Sequence, residues 1–145
     1  MAKDLNCKNF KCKAFSLFEI LVVIVILAII SLFSVDYFIK LLEKHRLKTQ
    51  VVEFVEDILY AESLAFKRGG SMLEIYKDSY KISSKGKIYL QREIPKWIKF
   101  SCSSNKIEFL PNTLPKSGVN CVFSANAKFV VKLDNVSGRV VWEEK

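Results

Sequence analysis

Between Lys13 and Val35 the chain reads KAFSLFEILVVIVILAIISLFSV. From Phe15 to Val35, about 21 residues, the only charge is Glu19, and about 20 apolar residues suffice for a helix to cross a bilayer. A secretory signal peptide fits poorly. The apolar run is too long, and no A-x-A-like cleavage site closes it. An ordinary transmembrane helix fits the length but leaves Glu19 unexplained. An acidic group at the centre of such a helix costs about 2.5–3.5 kcal/mol on insertion scales, and less near the interface.

Charge orients the segment. Lys3, Lys8, Lys11 and Lys13 precede it against a single acid, Asp4. The positive-inside rule puts residues 1–14 in the cytoplasm and everything after the span on the far side of the membrane. With 145 residues, the chain has room for one domain plus an anchor. The net charge of +8 is partly leader charge. The remaining basic excess is mild and is accounted for by a lysine-rich solvated surface, which leaves contact with anionic lipid or nucleic acid open.

The cysteines divide the same way. Cys7 and Cys12 precede the span, and Cys102 and Cys121 follow it. The two pairs then occupy different redox compartments and cannot form one four-ligand metal site. No C-x-x-C spacing occurs, and the single histidine, His45, lies close to the membrane segment. Neither a metal nor a cofactor is expected. Cys102 and Cys121 share an oxidising compartment, where a bridge would close the loop containing Pro111 to Gly118 and contribute about 3 kcal/mol in the chain-entropy model. Two free buried thiols are the alternative.

No Gly or Pro occurs from Met1 to Arg68. Then Lys67-Arg68 runs into Gly69-Gly70, a helix stop signal. The pattern predicts one helix of about 54 residues from near Phe15 to near Arg68. Within its second half, Leu47, Val51, Phe54, Ile58, Ala61 and Ala65 form one stripe, widened by Val55 and Leu59. Glu53, Glu56, Asp57 and Glu62 take the other faces. His45, in the transition out of the membrane, is expected to be exposed. After Gly70 the texture changes to short runs between turn residues. Strands are expected at Met72–Tyr76, Ser79–Ser83, Lys87–Gln91, Trp97–Ser101, Lys106–Leu110, Cys121–Ser124, Lys128–Leu133 and Arg139–Glu143. The stretch Pro111–Asn120 is the longest irregular piece. The fold class is α+β: a long N-terminal helix, half transmembrane and half amphipathic, packed on an antiparallel β-sandwich-like head. The organisation is a leader at 1–14, a membrane helix at 15–35, an amphipathic helix at 36–68 and a β-rich head at 69–145.

A short basic leader ending in small Ala14, then Phe15, then Ser16-Leu17-Phe18-Glu19 and an unbroken aliphatic run resembles the class III signal of type IV prepilins and pseudopilins. That resemblance implies cleavage between Ala14 and Phe15 by a prepilin peptidase, and N-methylation of Phe15. It also implies that Glu19, at the fifth mature position, pairs with the new ammonium of a neighbouring subunit. Snorkelling of Glu19 to the headgroups, or pairing with its own N-terminus, are the alternatives. Ala14 departs from the usual Gly before the cut, but it is still small. The helix end YAESLAFKRGG and the tail VSGRVVWEEK resemble the GspH/FimT group of minor pseudopilins, with Val136-Ser137-Gly138-Arg139-Val140 as the matching stretch. A hairpin turn followed by an exposed strand residue is the plainer reading of Gly138-Arg139. The Phe-x-Pro-x-x-Gly-like stretch of that group is only loosely present, as Phe109-Leu110-Pro111 with Gly118 displaced.

The implied role is structural. A minor pseudopilin of a type II secretion or type IV pilus system would sit in the bacterial inner membrane with its head in the periplasm and join a short periplasmic filament supporting protein secretion. The implied partners are other pilin or pseudopilin subunits, the prepilin peptidase, the inner-membrane assembly platform and membrane lipid. No catalytic constellation is visible, so an enzyme is not expected. The alternative is a DNA-binding minor pilin for DNA uptake, with Lys77, Lys85, Lys87, Lys116, Lys128 and Arg139 as candidate DNA contacts. That reading requires these residues to cluster on one face. A plain single-pass anchored domain outside any filament is the third possibility.

Overall fold

The computed structural model describes residues 16–111 and 115–145, with the side chains of 32–34 set aside. Its elements are α1 (Leu17–Arg68), β1 (Ser71–Ile75), β2 (Ser79–Ser84), β3 (Lys87–Glu93), β4 (Lys99–Cys102), β5 (Lys106–Phe109), β6 (Val119–Ser124), β7 (Lys128–Leu133) and β8 (Val140–Glu144). The chain divides into two compact units, Met1–Phe38 and Ile39–Lys145. In the first, the described side chains from Ser16 to Ser31 are exposed, aliphatic ones included. In the second, the rest of α1 packs on two antiparallel sheets.

The helix ends where the Gly pair stands. Gly69 takes a positive φ of 82°, and its N–H donates to the Ala65 carbonyl at 2.9 Å. This left-handed cap satisfies a carbonyl at the helix end without the Cβ penalty another residue would meet. The first sheet has the order β3-β2-β1-β5 and the second β4-β6-β7-β8. The chain therefore changes sheet at β3 to β4, β4 to β5 and β5 to β6. Alternation sets the inner faces. Leu73 and Ile75 of β1, Tyr80 and Ile82 of β2, Ile107 and Phe109 of β5, Cys121 and Phe123 of β6, and Phe129, Val131 and Leu133 of β7 all join one apolar core.

The expected helical stripe forms the third layer of that core. Leu47, Val51, Phe54, Ile58, Ala61 and Ala65 are all buried. Phe54 is the hub: its ring lies 5.0 Å from Tyr80 in the first sheet, and 5.6 Å from Phe100 and 5.3 Å from Phe123 in the second. Edge-to-face arrangements of this kind stabilise beyond the area they bury. Two details of the stripe differ from expectation. Leu59 is 49% exposed, and Leu64 is buried in its stead. Helical geometry explains this, because Leu64 follows Ala61 by three residues whereas Leu59 lies beside the polar Tyr60 face. Asp57, expected on a solvated face, is only 6% exposed.

Only β7 keeps its expected bounds; the other strands shift by one or two residues, and two strand starts move by two. β4 begins at Lys99 rather than Trp97, because Ile98 N–H donates to the Pro95 carbonyl at 2.9 Å and holds Pro95–Ile98 in a turn. β6 begins at Val119, two residues earlier than expected, so the irregular stretch before it is shorter. Gly118 permits this approach: a Cβ there would stand 2.9 Å from the Leu133 carbonyl oxygen. Register shifts between Ile82 and Ser83 opposite β3, a bulge that leaves Tyr89 unpaired in the ladder.

Candidate functional site

The expected cleavage and methylation residues, Ala14 and Phe15, lie outside the described residues, as do the leader and Cys7 and Cys12. The described chain begins one residue later, at the start of α1. The Ser16 carbonyl accepts from Glu19 N–H at 2.9 Å and Ile20 N–H at 3.2 Å, opening the first helical turn. Glu19 falls in that turn. Ser16-Leu17-Phe18-Glu19 has the S-x-x-E pattern of a helix N-terminus, and a carboxylate there is favoured by the unsatisfied N–H groups and the helix dipole. Among the described residues, no side-chain hydrogen bond or ion pair engages Glu19. Beyond it, α1 is long and apolar enough to cross a membrane.

The six candidate DNA contacts are all exposed, and topology disperses them. Lys77 is in the β1–β2 turn. Lys85 and Lys87 flank the β2–β3 turn, at the other end of β2 and about 20 Å away along a six-residue strand. Lys128 opens β7, while Arg139 precedes β8 at the opposite end of the second sheet. Lys116 pairs with Glu108 at 3.3 Å. The Lys85 ammonium lies against Gly69 at the C-terminal end of α1, where a cation is favoured by the dipole. Lys87 and Arg68 stand over the Tyr89 ring at 5.7 and 5.8 Å. No single face collects all six.

Cys102 and Cys121 are directly opposed in the β4–β6 ladder and joined as a disulfide. The Val136-Ser137-Gly138-Arg139-Val140 stretch builds the β7–β8 connection. The Asp134 carboxylate accepts from the Ser137 hydroxyl at 2.6 Å and from Val136 N–H at 3.1 Å. These donors, the Ser137 hydroxyl first, hold the Asp134 carboxyl below its usual range. Arg139 is exposed and its carbonyl accepts from Asp134 N–H at 3.0 Å. His45 is exposed, as expected.

A polar cluster missed in the sequence joins α1 to the first sheet. The Asp57 carboxylate accepts from the Tyr80 hydroxyl at 2.6 Å and from Arg92 Nε at 2.7 Å. Arg92 Nη1 also reaches Glu53 at 2.6 Å. Arg92 is opposite Tyr80 in the β2–β3 register, so both side chains leave the same face of the sheet. Burial, followed by the Asp57 hydrogen bond and charge, pushes the Tyr80 phenol far above its ordinary range. The acid is thereby paired and solvated by protein, which makes its burial tolerable. Its partners lie 23 and 35 residues away in the chain, so no local motif marks them. Among the described residues no group of three potential metal ligands converges.

Comparison with known proteins adds one finding. No curated protein and no solved structure matches the chain. Residues 9–35 match the family model described as the prokaryotic N-terminal methylation motif. The matched span brackets the basic leader end, Glu19 and the apolar start of α1. The chain therefore carries the N-terminal methylation motif of type IV prepilin-like proteins.

Proposed function

We propose that the protein is a minor pseudopilin of a type II secretion or type IV pilus system. It is cut between Ala14 and Phe15, methylated at Phe15, and built into a short periplasmic filament that supports protein secretion. The observation that carries this reading is the methylation motif at residues 9–35 running without interruption into α1, with Glu19 in the first helical turn. Phe15–Val35 holds the subunit in the inner membrane before assembly. In the filament, helix–helix burial takes the place of burial in lipid. An amine made by cleavage stays cationic after methylation, and Glu19 of one subunit meets the amine of the next. An unpaired charge is strongly disfavoured in so apolar a setting, so this pairing selects one axial register. The partners are other pilin-like subunits, the prepilin peptidase and an inner-membrane assembly platform. The dispersal of the six basic side chains gives the DNA-uptake alternative no added support.

Intact-mass analysis of the protein extracted from membranes tests this reading. The expected species lacks residues 1–14 and carries one added methyl group. A full-length chain in cells with a working prepilin peptidase would refute it.

A further inference from the structure

Trp97 is 44% exposed at the tip of the Pro95–Ile98 turn. It lines an open cleft of about 520 Å³ together with Glu43, Arg46, Lys99, Ala125 and Asn126. The Asn126 amide donates to the Glu43 carboxylate, which ties the β6–β7 turn to α1 beside the cleft. Lys99 and Lys128 are both register partners of Ser124. Paired residues share a face, so the three side chains stand in one row across β4, β6 and β7. Among the described residues, no carboxylate lies within ion-pair distance of Arg46, Lys99 or Lys128. Of the nearby acids, Glu144 pairs with Lys44 at 2.6 Å, while Glu43 accepts from the neutral Asn126 amide and keeps its charge. The cleft and the adjoining row thus combine an exposed indole with Arg46, Lys99 and Lys128 against the single carboxylate of Glu43, a net cationic surface. That composition is the one selected where one side is wet and anionic and the other apolar.

Chain length supplies the occupant. Arg46 follows Val35, the end of the apolar run, by only about 11 residues of sequence. A cleft tethered so closely to a membrane anchor meets headgroups at high effective concentration. We propose that Trp97, Arg46, Lys99 and Lys128 form a phospholipid-headgroup surface. The guanidinium and ammonium groups take lipid phosphates, and the indole takes the boundary between headgroup and acyl chain. The inference rests on the membrane-anchored reading. It adds a contact between the head and lipid headgroups before the subunit is drawn into a filament.

The test uses the full chain in nanodiscs, with Trp142→Phe leaving Trp97 as the sole indole. One set is pure phosphatidylcholine; the other contains one-third phosphatidylglycerol. Both carry a headgroup nitroxide lipid. Trp97 fluorescence is expected to be quenched about twofold more in the anionic discs, and protected there from aqueous acrylamide. Lys99→Glu with Lys128→Glu, or separately Arg46→Glu, should return it to the phosphatidylcholine level. Quenching indifferent to lipid charge and to these reversals overturns the proposal. Protection by duplex DNA but not by anionic discs overturns it in favour of a nucleic-acid surface. If carbonate strips the chain from the discs, the anchored reading itself fails. If the chain resists carbonate and Trp97 stays open to acrylamide, only the headgroup surface fails.

Discussion

Two acids on the same helix, Glu19 and Asp57, meet apolar surroundings in different ways. Asp57 is folded into the second unit and finds Tyr80 and Arg92 within its own chain. Glu19 stands among exposed aliphatic side chains and has no partner among the described residues. The helix around them differs in the same sense. Up to Phe38 its described apolar side chains face outward, while from Leu47 onward one stripe is buried in a protein core. The same secondary structure thus carries an outward-facing apolar segment and a buried apolar stripe. The rule that a charge in apolar surroundings needs a counter-charge is met internally in one half. In the other half, on the proposed reading, it is left for another subunit to meet.

Glu19→Val should break this contrast most sharply. Assembly into filaments, followed by cross-linking of membrane fractions, is expected to fall at least about tenfold, while the melting temperature of the head stays unchanged. A head that melts earlier, or assembly that survives, would remove the distinction between the two acids. Next in size is Phe54→Ala, expected to cost about 3–5 kcal/mol because the cavity opens between both sheets and the helix. Ile24→Ala, in the exposed half, should leave head stability untouched, and denaturant unfolding of the pair measures the difference between the two halves.

Asp57→Ala leaves the buried Tyr80 hydroxyl without its acceptor and should cost roughly 2 kcal/mol. This figure is discounted because the Arg92 partner is partly solvated. Asp57→Asn, which still accepts a hydrogen bond, should cost less. The smallest effect is alkaline. The Tyr80 phenol is raised above its ordinary value of 10.0 in the folded protein. Its contribution is fully present below that value and is lost as pH rises past it, because the unfolded chain ionises first. Thermal melts from pH 8 to 11 should fall more steeply for the parent protein than for Tyr80→Phe.

Much of this architecture was readable before any coordinates. Eight strands were foreseen because alternation and turn residues such as Lys85-Gly86 and Asp134–Gly138 punctuate the chain locally. The helix stop at Gly69 and the stripe from Leu47 to Ala65 were legible for the same reason: each is a short-range signal. The Asp57 cluster was not. An acid between Glu56 and Ile58 reads as solvated, and its burial depends on β2 and β3 pairing so that Tyr80 and Arg92 emerge together. The scatter of Lys77, Lys85, Lys128 and Arg139 was likewise hidden, since which turns share an end is a property of sheet order. The methylation motif needed no fold, because it is a contiguous stretch of sequence at residues 9–35.

Phe54 lies in α1 and is also the point where both sheets meet. Within the second unit, the helix is therefore a packed layer of the domain rather than an appendage to it. A soluble fragment starting after Ala65 would discard one wall of the core, and one starting after Leu47 already loses the first side chain of the stripe, so any truncation meant to keep the head intact must begin upstream of Leu47. Traction applied through this helix would reach both sheets through side-chain packing, with no loop between Leu47 and Ala65 to give way first.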